Sequence, residues 1–100
     1  MLVQIIGVPT EGTTARVGER FRLRPGTPLR IGTSFDDRVR LTRGAHTEVR
    51  VVSSDTSTGL ELEELGVRLT LNGVTLTAGT SVPVVAGDCL FIDASLVLRF

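Results

Sequence analysis

The sequence predicts an all-β fold, a β-sandwich of about eleven short antiparallel strands. Apolar and polar residues alternate through most of the chain, the period of a half-buried strand, and no stretch sustains a helical period. Turn-forming residues interrupt that alternation at short, regular intervals, as they do in sandwiches. With 41% hydrophobic residues and zero net charge, the 100-residue chain has the composition of a globular domain. Its length suits one domain, residues 1–100, around one small core. Four Phe and no Trp or Tyr make that core aliphatic.

Residues 2–8 form the first strand, closed by Pro9 and a polar loop through Gly18. Residues 20–24 alternate cleanly, with Phe21 and Leu23 inward and Arg20, Arg22 and Arg24 outward. Pro25-Gly26-Thr27-Pro28 is a turn. A short strand over 29–31 ends at Gly32, where a turn or a close strand approach requires glycine. Residues 39–41 follow, with Arg38 and Arg40 outward, and then 46–52, with Val49 and Val51 on one face. A polar loop over 53–59 leads to a strand over 60–63, with Leu60 and Leu62 inward. Residues 67–71 and 74–76 flank Asn72-Gly73, a pair that suits a type I′ hairpin because both residues tolerate positive φ. Residues 81–85 and 89–92 flank a turn at Ala86-Gly87-Asp88, and 95–100 form the last strand. Cys89 reads as a small core residue.

Several function classes are disfavoured. One Cys excludes an internal disulfide and a Cys-based zinc site, and one His excludes most metal and triad chemistry. No metal, no cofactor and no catalytic residue are expected, so the chain is not read as an enzyme. Asp36-Asp37 lacks calcium-loop spacing and reads as a solvated loop. No apolar run of about 18 residues offers a membrane span. Residues 1–8 lack a basic start and a cleavage site, so a cytoplasmic location is expected. The eleven basic residues are all Arg. Residues 16–50 hold nine of them against four acids, net +5, whereas 51–100 hold two against six acids, net −4. An Arg-rich half suggests a surface that meets anions, or a solvated strand face. Nucleic acid is not the expected partner, given zero net charge and no aromatic platform.

Three motifs in order carry a resemblance. They are Arg30-Ile31-Gly32-Thr33-Ser34, then Arg43-Gly44-Ala45-His46-Thr47-Glu48-Val49, then Asn72-Gly73-Val74-Thr75-Leu76 with Gly79 and Gly87-Asp88. Across residues 20–100 the chain resembles the forkhead-associated (FHA) domain family. The resemblance implies an eleven-stranded sandwich that binds phosphothreonine peptides through loops at one end. It gives structural roles to Gly32, His46, Asn72 and Gly73, with His46 inside the sandwich and bracing the recognition loop.

The phosphate site departs from the family pattern. Thr33 stands where the family has a phosphate-gripping Arg. The family's phosphate-binding Ser corresponds to Arg43, or to Thr42 if one extra residue is allowed. The family's recognition Asn is missing, and Leu65 or Val67 lies near its place. A phosphothreonine carries about −1.5 to −2 charges, which an Arg fork answers far better than a neutral hydroxyl. Arg30, Arg38 and above all Arg43 are the arginines able to compensate. The candidate contact set is Thr33, Ser34, Thr42 and Arg43.

Two readings follow. One is an FHA-type interaction module with a lost or altered phosphate site, a signalling or regulatory scaffold in a bacterium that binds a protein or another domain of its parent chain. The other is a phosphothreonine-peptide binder with relocated Arg contacts, attached for example to a Ser/Thr kinase or a sigma-54-type regulator. Because the chain starts at Met1 and stops after its last strand, it is expected to be the N-terminal module of a longer protein.

Overall fold

The computed structural model describes residues 1–9, 12–42, 45–93 and 96–100. Its strands are β1 (Leu2–Gly7), β2 (Arg20–Arg22), β3 (Leu29–Gly32), β4 (Val39–Arg40), β5 (Thr47–Ser53), β6 (Thr58–Leu65), β7 (Leu69–Leu71), β8 (Val74–Thr75), β9 (Thr80–Val84), β10 (Cys89–Ile92) and β11 (Leu96–Arg99). They form two sheets, a six-stranded one in the order β2-β1-β11-β10-β7-β8 and a five-stranded one in the order β4-β3-β5-β6-β9. The fold is all-β, as the alternation predicts. Among the described residues no helix is long and apolar enough to cross a membrane.

The core lies between the sheets. Val3, Ile5, Leu69, Leu90, Ile92, Leu96 and Leu98 from the larger sheet meet Ile31, Val39, Val49, Val51, Leu60 and Leu62 from the smaller one, all essentially buried. Each is the inward member of an alternating strand, so one pleat period sets both the strand and its burial.

Three features differ from the sequence expectation. β4 pairs parallel to β3, through Ile31↔Val39 and Gly32↔Arg40, whereas an antiparallel set was expected. The loop over 33–38 doubles back before β4 starts, and alternation carries no information on strand direction. β6 begins two residues early, because Ser54 Oγ accepts the N–H groups of Thr56 and Ser57 at 3.3 and 3.1 Å. That serine turn shortens the loop and lets Thr58 and Gly59 pair with Ser53 and Val52. Cys89 is half-buried beside the buried Leu90, on the outward side of β10 and opposite exposed Arg99, and is not a core residue. Ser95, the first residue of the expected last strand, lies outside the described residues.

The Asn72-Gly73 hairpin forms as its residues require, with φ of 51° and 83°. Asn72 also ties β7 to β10: its Nδ2 donates to Asp88 Oδ1 at 2.8 Å and its Oδ1 accepts the Cys89 N–H at 3.0 Å. Asp88 Oδ2 accepts the Val85 N–H at 2.9 Å. The Val85 bond first, then the Asn72 amide, holds the Asp88 carboxyl below its ordinary pKa. Asn72→Ala removes both side-chain bonds and leaves alanine at positive φ, so unfolding stability should drop by about 2 kcal/mol in denaturant titration. A loss within experimental error of zero would refute this tie.

Candidate functional site

The structural work of the loop end centres on Thr47, the fully buried first residue of β5. Its N–H donates to Thr33 Oγ1 at 3.1 Å, and its carbonyl accepts the Thr33 N–H at 2.9 Å. Its hydroxyl donates to the Ala45 carbonyl at 3.2 Å and accepts the Gly66 N–H at 3.1 Å. One threonine thus joins the loop after β3, the segment before β5 and the loop after β6. Nothing in the alternation singles out Thr47 for this role.

Thr33 belongs to this network. Its Oγ1 accepts the Thr47 N–H and lies 2.9 Å from His46 Nδ1. His46 Nε2 lies 3.6 Å from Glu64 Oε2. His46 braces Thr33, as the resemblance implies, but it does so from the surface: its side chain is 59% exposed. The expectation of a histidine inside the sandwich is corrected. The reason is geometric, since His46 precedes β5 and its ring lies alongside the exposed Glu64.

Gly32 ends β3 without a positive φ, so close approach is what selects glycine there. A Cβ at this position would collide with the Thr47 carbonyl oxygen and lie 2.8 and 2.9 Å from Asp37 Oδ2 and Glu48 Oε2. The absent side chain leaves room for those two acids on the outer side of the smaller sheet. Asp37 is not a solvated loop residue; its side chain is completely buried and that of Glu48 nearly so. Asp37 Oδ2 accepts the Ser34 N–H at 3.0 Å, which closes the loop over the pair. Arg30 Nε lies 3.6 Å from Asp37 Oδ1 and 3.4 Å from Glu48 Oε1. Burial first, then the hydrogen bond and charge of Asp37, push the Glu48 carboxyl up to about 7, against the opposing pull of Arg30.

The other predicted residues fall as follows. Ser34 is half-buried and its backbone closes the 34–37 turn, with the Asp37 N–H donating back to the Ser34 carbonyl at 3.1 Å. Thr42 is exposed, and its N–H donates to the Gly12 carbonyl at 3.0 Å. Arg43 lies outside the described residues. Arg30 is committed to the buried acids, and the Arg38 guanidinium sits 4.8 Å from the Phe21 ring centroid, at the edge of the sandwich. Leu65 and Val67, near the place of the missing Asn, pack against the core. Among the described residues no group of three or more His, Cys, Asp or Glu is placed to hold a metal ion.

Sequence reasoning missed Phe35. It is 81% exposed at the tip of the 33–38 loop, with the Arg40 guanidinium 4.6 Å from its ring centroid. The available signal was its setting: an aromatic between Ser34 and Asp36, outside every alternating run, has no core to enter. The 33–38 loop therefore presents an aromatic ring backed by a cation. No protein-family model matches this chain, and no curated protein matches it.

Proposed function

We propose that this chain is a protein-interaction module of the forkhead-associated type, a signalling or regulatory scaffold, whose loop end binds an unphosphorylated protein surface around Phe35. The observation that carries the reading is the exposed Phe35 ring stacked by Arg40. Aromatic and Arg side chains are the usual anchors of protein interfaces. The eleven strands in two sheets, the close approach at Gly32 and the Asn72 tie support the family resemblance. The fate of the expected phosphate contacts supports a changed ligand. The Thr33 hydroxyl is already bonded to Thr47 and His46, and Arg30 is held by Asp37 and Glu48.

The test is a titration of a degenerate phosphothreonine peptide library beside its unphosphorylated twin. Binding of the unphosphorylated peptides, equal or better, and its loss by about tenfold or more in Phe35→Ala are expected. Binding that requires the phosphate and survives Phe35→Ala would overturn this reading in favour of the phosphothreonine one, for which the exposed Thr42 speaks.

A further inference from the structure

β2 is one of the two edge strands of the larger sheet, β8 being the other. β2 pairs with β1 through Leu2↔Arg22, Val3↔Phe21 and Gln4↔Arg20. The Leu23 N–H donates to the Met1 carbonyl at 3.0 Å and the Ile5 N–H donates to the Glu19 carbonyl at 2.9 Å. In an antiparallel ladder alternate residues exchange both of their backbone bonds with the partner strand. Residues 19, 21 and 23 therefore face β1, and the N–H and C=O groups of Arg20 and Arg22 point to the free edge. Beside this edge lies an open groove of about 510 Å³, walled by Arg20, Arg22, Arg24, Arg38, Phe21 and Pro28. Among the described residues no acidic side chain lines it.

We infer that the β2 edge is a second binding site, taking an extended acidic peptide as an added strand. Four features choose that occupant. Among the described residues the backbone donors and acceptors of Arg20 and Arg22 have no partner; they match a peptide backbone, whereas a nucleic-acid backbone offers acceptors only. The Arg20 and Arg22 side chains stand on the outer face, where acidic residues of an added strand would lie opposite them. The inward residues of that strand would lie beside Phe21, Leu23 and Pro28, where the Arg38 guanidinium sits over the Phe21 ring at 4.8 Å from its centroid. A second copy of this edge is disfavoured, since it would set Arg against Arg. The ligand pattern is thus alternating acidic and apolar. Apart from Arg38, which ends the 33–38 loop, the site is built from residues 20–29, remote in sequence from Phe35.

The test is fluorescence anisotropy with a short labelled peptide of alternating glutamate and valine. Binding is expected to weaken about tenfold or more in the Arg20→Glu/Arg22→Glu double variant and to be unchanged in Phe35→Ala. N-methylation of alternate peptide amides, which keeps every charge but removes the backbone donors, should abolish binding on one of the two registers. Hydrogen exchange at the Arg20 and Arg22 amides should slow in the complex. If both N-methylated peptides bind as well as the parent, strand addition is overturned and the edge is merely basic. A single-stranded oligothymidylate that binds as tightly and displaces the peptide would overturn the peptide assignment. Circular dichroism of the double variant checks that it remains folded; if it does not, Arg38→Glu, whose backbone lies outside β2, supplies the same test of charge.

Discussion

Gly32→Ala is expected to lower unfolding stability by about 3 kcal/mol, a fall in melting temperature of roughly 10–20 °C for a domain of this size. A new Cβ would collide with the carbonyl oxygen of Thr47, across the β3–β5 pair. That oxygen is backbone, so no rotamer change relieves the contact. Thr47 shifts only by dragging its bonds to Thr33, Ala45 and Gly66 with it. The alternative movement pushes Asp37 and Glu48 outward and opens the turn closed by Ser34. Phe35 sits inside that turn, so the surviving folded protein should also lose affinity for a loop-end partner. Thermal denaturation checks the first effect, and a melting point within a few degrees of the parent would show that the close approach is not needed.

The parts of this fold that sequence made legible are those set by the pleat. Phe21 and Leu23 face inward because residues of one parity share a face, and the same holds for Val49 with Val51 and for Leu60 with Leu62. The Asn72-Gly73 hairpin was legible because positive φ at two successive residues restricts composition. The candidate site was less legible, because loops carry no period. Residue parity places Glu48 on the outer face with Arg30 and Arg50, and the register bears that out. Its burial comes instead from the 33–38 loop folding over Gly32, and from the register shift between Glu48 and Val49. The parallel direction of β4, the burial of Asp37 and the exposure of Phe35 follow from that same loop. His46 was placed by resemblance alone, and its bracing bond was found while its burial was not.

The buried acid pair gives this protein an unusual pH dependence. The Glu48 carboxyl titrates near 4.5 when unfolded and at about 7 in the fold, raised chiefly by burial and by Asp37. Between those values the folded state holds a proton that the unfolded state has released. Stability must therefore fall as pH rises through this window and level off above about 7. The sign is opposite to that of Asp88, whose lowered pKa stabilises the fold above its unfolded pKa and is lost only in stronger acid. The two effects occupy separate pH ranges. Below pH 7 the Glu48 proton bridges to Asp37. Above it two carboxylates sit side by side under the Ser34 turn, with one half-exposed Arg30 to oppose their repulsion. Glu48→Gln keeps a donor toward Asp37 and removes the titration. Its stability should match the parent near pH 4.5 and exceed it at pH 8 by on the order of 2 kcal/mol. Parallel denaturation curves at the two pH values decide the matter. A constant difference between variant and parent would mean that Glu48 is ionised throughout, and that Arg30 alone neutralises the pair. A growing difference would place a proton-dependent latch beneath the loop that carries Phe35, so partner binding at that loop should weaken over the same pH window.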